Sequence, residues 1–320
     1  MAIKLDLETT LDNMKLKCNM CDGLYQDELD VRFGMTCDNA CPFCFNKIGR
    51  PAQKFNLEKV IQSTLEEAPR SCINIVGGEP LLSCMLDDLL TFIKAIRHTT
   101  QKLCIISSLP PIPKNKQKVF EEIMELTDEL IISLQHYNDD KNSELMNATH
   151  KYSRMAKIKE LKESRFSDKI SITLNISLNG INTAGKLNKA LQIFDEMGIK
   201  YVRINELGNT PLHISIRQVV PDYKFKSPFA HGCSIDLTKH FKKKLGLKNI
   251  QTIKTRIRCF IVEPTEKASF ADLVKTWIQR ISYDRSVKNN APLKYGKNRP
   301  TVIYEDGHKD WSWAVYEITR

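Results

Sequence analysis

Several features that would settle the matter early are missing from this sequence. Met1 to Thr10 has no basic stretch followed by an apolar core, which argues against a secretory signal. No run approaches the roughly 18 apolar residues that a membrane helix needs. Ten cysteines in 320 residues are too sparse for a disulfide-scaffold composition. Nothing repeats with a period of about 20–50 residues beyond an alternation of short and long elements, and no tract is of low complexity. A reducing, cytoplasmic compartment is the expectation, and there clustered cysteines favour metal or catalytic roles over disulfides.

What is present is the composition of a soluble globular chain, with 42% hydrophobic and 27% charged residues. The length suffices for one large domain or two. The net charge is +10, and it is unevenly placed. Residues 221–320 hold 20 basic and 10 acidic side chains, which leaves 28 of each sign in the first 220. Electrostatically the chain is a neutral piece followed by a basic one.

Short β-rich runs alternate with helical patterns from residue 30 to 207. Strands are predicted at Asp30–Thr36, Cys72–Val76, Leu103–Ser107, Glu129–Leu134, Lys169–Ser177 and Lys200–Glu206. Helices are predicted at Asn56–Ala68, Leu81–His98, Lys116–Leu126, Ser153–Glu163 and Ala184–Met197. Six βα units imply a parallel sheet, because parallel neighbours need crossover helices. Six are too few for a closed eight-stranded barrel, and suit a partial barrel or a doubly wound sheet. Either places chemistry at the carboxyl ends of the strands.

The boundary falls at Gly208–Tyr223, where Gly208, Pro211 and Pro221 punctuate and the charge balance shifts. Three pieces follow: an N-terminal segment over 1–27, the βα region over 28–207, and a basic C-terminal α+β extension over 208–320. The extension carries a lysine-dense stretch at Lys239–Lys248, then Arg256–Val262, then a helix at Ala268–Ile281. It ends in a hairpin of Thr301–Glu305 and Trp311–Tyr316 about an Asp306-Gly307 turn.

The chemistry-bearing residues follow the first two strands. After the first comes Cys37-Asp-Asn-Ala-Cys41-Pro-Phe-Cys44. Three thiolates on a short loop suit zinc or an iron–sulfur cluster, and three ligands leave one metal corner open for a small molecule. The second strand ends in Val76-Gly77-Gly78-Glu79-Pro80. Glycines admit a close backbone approach, and a carboxylate can hold an ammonium group; Gly-Gly before a helix is equally an ordinary tight turn.

Together these residues resemble the radical S-adenosylmethionine (radical SAM) superfamily. The C-x3-C-x-aromatic-C loop, with Phe43 in the aromatic position, and Gly77-Gly78-Glu79-Pro80 stand in the right order and context. The resemblance covers roughly residues 28–207 and implies a partial (β/α)6 TIM-like barrel. It implies that Cys37, Cys41 and Cys44 hold a [4Fe–4S] cluster whose fourth iron chelates S-adenosylmethionine. Phe43 would lie against the adenine, and Gly77, Gly78 and Glu79 would line the methionyl ammonium site, with Glu79 as acceptor. Weaker patterns point to Ser107 or Ser108, to Ser133, to Asn175 and Ser177, and to Asn205 or Glu206. Ser107-Ser108-Leu109-Pro110 departs from the Asn-Gly strand ending frequent in relatives. The implied activity is oxygen-sensitive reductive cleavage to a 5′-deoxyadenosyl radical that removes a hydrogen atom from a substrate, fed by a donor such as flavodoxin or ferredoxin.

Other residues keep two readings each. Cys18 and Cys21 form a CxxC, and with Cys233 and Cys259 they could build a second metal site of four thiolates. Cys72, Cys84 and Cys104 read as buried small hydrophobes. His136 and Tyr137 follow the fourth strand, where they could handle a proton or simply pack. Trp277, Trp311 and Trp313 read as core-capping aromatics. Lys242, Lys243, Lys244, Lys248, Lys254, Arg256 and Arg258 suit an acidic peptide, a nucleotide or RNA, although a lysine run is usually a solvated helix face.

Two functions of different class therefore stand. One is a radical SAM enzyme acting on a peptide or protein side chain, with a nucleotide, RNA or small metabolite as runner-up. The other is a non-catalytic, zinc-stabilised nucleic-acid-binding protein. The second explains the charge but neither the Gly-Gly-Glu-Pro strand end nor the six βα units.

Overall fold

Strict alternation along the central strands gives the sheet two unlike faces. The computed structural model describes residues 28–44, 52–207, 210, 212–225, 234–256 and 302–310. The first six strands are β1 (Glu28–Arg32), β2 (Arg70–Val76), β3 (Thr100–Ser107), β4 (Glu129–Leu134), β5 (Ile170–Ile176) and β6 (Tyr201–Glu206). Ile73, Ile75, Leu103, Ile105, Leu130, Ile132, Leu174 and Ile204 are fully buried against helices. The intervening residues, among them Asp30, Asn74, Ser133, Thr173, Asn175 and Arg203, fall on the opposite face by the period of two. That face is polar, which is what a barrel needs if it is to take a polar ligand inside.

The crossover helices are α1 (Leu57–Glu66), α2 (Leu86–Ile96), α3 (Gln117–Leu126), α4 (Asp139–Leu145), α5 (Arg154–Glu163) and α6 (Ala184–Glu196). Asn56, Asn138, Ser153 and Thr183 cap α1, α4, α5 and α6 by accepting backbone N–H bonds. The longer helices turn apolar stripes onto the sheet: Leu89, Phe92 and Ile93 from α2, Phe120 and Ile123 from α3, Leu187, Leu191 and Phe194 from α6. Burial of each such side chain contributes about 1.5–3 kcal/mol.

Strands β1 to β6 pair in parallel, each with the next, and among the described residues β1 does not meet β6. The barrel is therefore partial, as six βα units predict. The basic extension is stitched to both of its edges. After the short α7 (Ile216–Val219) come β7 (Ser234–Asp236), α8 (Thr238–Leu245) and β8 (Thr252–Arg256). β8 runs parallel to β6, and β7 antiparallel to β8. At the other edge β9 (Val302–Ile303) pairs in parallel with β1, and β10 (Lys309–Asp310) folds back on β9. Among the described residues no helix is long and apolar enough to cross a membrane.

The elements shift from the sequence expectation at chemically informative places. β1 ends at Arg32 rather than Thr36 because Gly34 turns the chain at a φ of 75°. α2 begins at Leu86 rather than Leu81, because the preceding backbone is spent on the Glu79 carboxylate, which accepts from Leu81 N–H at 3.0 Å. β8, at Thr252–Arg256, is not anticipated in the sequence, and residues 257–262 lie outside the described stretch. The hairpin turns about Asp306-Gly307 as read, with Tyr304 N–H on the His308 carbonyl at 2.8 Å and pairing already at Lys309–Asp310; Trp311–Tyr316 lies outside the described residues. Cys18, Cys21, Cys233, Cys259, the Ala268–Ile281 helix, Arg258 and all three tryptophans lie outside the described residues.

Candidate active site

The three-cysteine loop leaves the carboxyl end of β1 and is fastened at its base. Ala40 N–H donates to the Asn147 carbonyl at 3.2 Å, and Thr149 N–H and hydroxyl both donate to the Asp38 carbonyl. Asn147 holds a φ of 46°, a left-handed conformation that asparagine tolerates better than most residues. Cys44 N–H closes a turn on the Cys41 carbonyl at 3.2 Å. Cys37 is exposed, whereas Cys41, Phe43 and Cys44 are half-buried. Asn39 N–H points at the Cys37 sulfur at 3.4 Å. Packing around that sulfur raises the thiol pKa; the Asn39 N–H opposes the rise, and the Glu79 and Asp38 carboxylates add to it.

Gly77 and Gly78 are required by the chain itself. A Cβ on Gly78 would stand 2.2 Å from the Thr36 carbonyl oxygen, and one on Gly77 2.5 Å from that of Gly34. Gly77 also holds a φ of 138°. The glycines thus let the end of β2 lie directly on the root of the cysteine loop, joined by Gly78 N–H to Gly34 O and Glu79 N–H to Thr36 O.

Glu79 is 2% exposed and fully engaged. One carboxylate oxygen accepts from Ser107 Oγ at 2.7 Å and from Leu81 N–H; the other accepts from Ser108 N–H at 2.7 Å and Ser108 Oγ at 2.6 Å. Burial nevertheless raises its pKa, against these four bonds. The Ser-Ser ending of β3, which departs from the family's common ending, is therefore a cradle for this carboxylate. Leu109, next in sequence, is held at a φ of 58°, a conformation costing about 1–3 kcal/mol for such a residue. Its carbonyl takes the Tyr152 hydroxyl at 2.7 Å.

The remaining sequence candidates divide. On the polar barrel face Asn175 Nδ2 donates to Ser133 Oγ at 3.0 Å, and Asn205 lies in register beside Asn175. Ser177 is buried beyond the end of β5, its N–H on the Ile181 carbonyl. Glu206 turns to a local task, capping α7 through Ile216 N–H at 2.6 Å and Ser215 Oγ at 3.3 Å. His136 is buried, and its Nδ1 accepts from Asn138 N–H at 3.0 Å, which puts the proton of the neutral ring on Nε2. Desolvation, then Lys186 and Lys141, hold its pKa below the ordinary value. Its ring lies 4.3 Å from that of Tyr137. Cys72 and Cys104 face each other across β2 and β3 at 3.9 Å.

Three residues at this end carry no sequence signal. Gln135 is 2% exposed, and its buried Oε1 has no partner among the described residues, an acceptor waiting at the mouth of the barrel. Asn39 joins the cysteine loop to Ser108, donating from Nδ2 to Ser108 Oγ at 3.1 Å. Arg154, fully buried, donates to the Ser108 carbonyl, Ser143 Oγ and Asn39 Oδ1. In the sequence Arg154 is one more basic residue on a basic helix.

These residues fit an iron–sulfur cluster with an added polar cofactor. Among the described residues no three His, Cys, Asp or Glu side chains converge on a single ion. A four-iron cluster asks for no such convergence, because each thiolate takes a different iron. Beside the loop, the polar barrel face and the orphaned Gln135 oxygen offer hydrogen bonds to a small ligand.

Comparison with known proteins agrees. Residues 31–182 match the family model described as Radical SAM superfamily. No curated protein matches in sequence. Among solved structures, Streptococcus suis SuiB aligns with a TM-score of 0.57 at 17% identity, over 92% of this chain and 62% of SuiB. Its structure bound to S-adenosylmethionine aligns with a TM-score of 0.57 at 17% identity, over 98% of this chain and 67% of that one. The chain thus spans about two thirds of the length of the structures it resembles. Motif, parallel partial barrel and family match converge: the chain carries a radical SAM domain over residues 31–182, just under half of its length.

Proposed function

We propose that this enzyme holds a [4Fe–4S] cluster on Cys37, Cys41 and Cys44, binds S-adenosylmethionine beside it, and removes a hydrogen atom from a bound substrate. The superfamily implies that cluster and that cofactor. When bound, they supply a one-electron reductive cleavage of the cofactor that generates the radical. The carrying observation is that the chain's own backbone locks the cysteine loop to the Gly77-Gly78-Glu79 strand end. Two motifs that are separate in sequence thereby become one rigid site.

The residues divide the remaining work. Phe43, half-buried between Cys41 and Cys44, would lie against the adenine. Glu79, with its serine cradle, sets the negative potential where the ammonium group would sit. Ser133, Asn175 and Gln135 would orient ribose and adenine from the barrel face. The electron comes from a partner such as flavodoxin or ferredoxin.

The substrate is read as a peptide or protein side chain with negative charge near the reacting position. Arg203 on β6 and Lys254 on β8 are exposed neighbours in register. They alternate with Val202, Ile204 and Ile253, which are buried on the helix side, so both cations lie toward the barrel interior. A nucleotide phosphate would satisfy the same two cations and is the second reading.

Anaerobic reconstitution tests the proposal. The chain should turn brown, bind about four irons, and convert S-adenosylmethionine to methionine and 5′-deoxyadenosine under a strong reductant. Cys37→Ala should abolish both the visible absorbance and the cleavage. Undiminished cleavage by that variant would sink the assignment. Deuterium transfer into 5′-deoxyadenosine from labelled acidic peptides, set against labelled nucleotides, separates the two substrate readings.

A further inference from the structure

Three arginines are among the largest fully buried side chains of the described residues: Arg32, Arg70 and Arg154. Two have a carboxylate. Arg32 pairs with Glu305, and Arg70 with Glu67 at 2.9 Å. Arg154 has none within ion-pair distance among the described residues. Its guanidinium donates from Nε to the Ser108 carbonyl at 3.0 Å, from Nη1 to Ser143 Oγ at 3.1 Å and from Nη2 to Asn39 Oδ1 at 3.3 Å. Its carbon lies 4.2 Å from the centre of the Tyr152 ring. All of these acceptors are neutral. A buried charge left without a counter-charge is strongly destabilising, so such an arrangement persists where something supplies the opposite sign.

The surroundings say where that sign comes from. Asn39, which accepts from Arg154, directs its own N–H at the Cys37 sulfur. Ser108 stands between Arg154 and the Glu79 carboxylate, giving its carbonyl to one and its N–H and hydroxyl to the other. Glu79 makes no direct pair with Arg154, because four local donors already occupy both of its oxygens. The Asp38 carboxylate reaches Arg154 only through Asn39, whose Nδ2 it holds at 3.0 Å, from a half-buried loop position. Further negative charge arrives beside Arg154 when Cys37, Cys41 and Cys44 become thiolates around a cluster, and it grows by one when that cluster is reduced.

We infer that Arg154 is a positioning residue that acts through Asn39 and Ser108 as the buried counter-charge of the loaded cysteine loop, holding the cluster's reduction potential up within reach of its electron donor. This rests on the cluster reading above. Charge near a cluster and hydrogen bonds to its sulfurs are the protein's main means of setting that potential, and outer-shell partners are a recognised place for both. Arg154 supplies the first directly and the second through Asn39. Reduction adds an electron from an external one-electron donor, and the fixed cation favours the more negative product.

The test is a redox titration of the reconstituted protein, with the reduced cluster followed by electron paramagnetic resonance. Arg154→Met should make reduction at least tenfold less favourable, a shift of about 59 mV to more negative potential for a one-electron couple. Arg154→Lys keeps the charge but not the three-way fork, and should recover most of that shift. Should Arg154→Met fail to fold, Ser143→Asp keeps the question answerable. It leaves the guanidinium in place, gives it a carboxylate, and should move the potential the same way, whereas Ser143→Asn should not. Potentials in Arg154→Met and Ser143→Asp equal to the parent's overturn the inference while leaving the cluster reading intact. A parent chain that takes up no cluster overturns the reading itself.

Discussion

Removal of one carboxylate far along the chain should loosen the strand from which the cysteine loop departs. Arg32, at the end of β1, and Glu305, just after β9, are both 0% exposed although 273 residues separate them. Arg32 Nη2 donates to one Glu305 oxygen at 2.8 Å, and its Nε donates to the other. Gln53 N–H adds a third bond at 2.6 Å, and the guanidinium stacks on Tyr304 at 4.3 Å. Glu305→Gln keeps the shape and removes the charge. Breaking a buried pair on one side costs about 3–5 kcal/mol, because the remaining ion is still desolvated. With a urea m-value of about 3 kcal/mol/M, the unfolding midpoint followed by circular dichroism should fall by roughly 1 M. The exposed pair Lys157–Glu160 provides the control, since Glu160→Gln should cost under about 1 kcal/mol. Joint replacement by Arg32→Met and Glu305→Leu should recover much of the loss, as apolar substitutes for buried ion pairs often do. A midpoint shift for Glu305→Gln of under about 0.3 M, the range of a surface pair, would refute the reasoning.

Three further outcomes follow from the site. Gly78→Ala puts a methyl group 2.2 Å from the Thr36 oxygen; it should cost upwards of about 1–3 kcal/mol and leave the chain poor in iron, read by melting temperature and iron content. Glu79 titrates above the ordinary carboxyl range in the fold, so folding takes up a proton: its contribution to stability declines as pH rises from the unfolded pKa to the folded one. Comparison of the parent with Glu79→Gln across that window should show the parent losing ground as pH increases, and a flat difference would count against a raised carboxyl. The depressed His136 imidazole works in the other direction. Acidification below its unfolded pKa should erode stability, and its ring resonances should titrate at lower pH than those of free histidine.

The βα scaffold was plain in the sequence because period and length agree there. β4 is found at Glu129–Leu134 as read, and α6 starts at Ala184 as read, since Thr183 caps it. The elements that were missed are short or polar. α4 is an acidic, seven-residue helix without an apolar stripe, and β7 and β10 are three and two residues long, visible only beside the strands they pair with. The site divides in the same way. Cys37, Cys41, Cys44 and Glu79 carry a local spacing that sequence displays. Arg154 and Asn39 matter through where they meet, 115 residues apart, and no local pattern encodes that meeting. The Ser107-Ser108 ending read as a departure from type; only the fold shows that both hydroxyls close on Glu79.

The pairing of β9 with β1 has a consequence for how the protein is made. β1 lies near the beginning of the described chain, and the segment that covers its outer edge is translated after all the other strands of the sheet. Until that segment emerges, the outer edge of β1 lacks its β9 partner and is the kind of edge on which chains stick to one another. A ribosome stalled before residue 302 would hold a nearly complete barrel with the outer edge of β1 unguarded. A late segment thus seals the edge of the strand from which the three-cysteine loop departs.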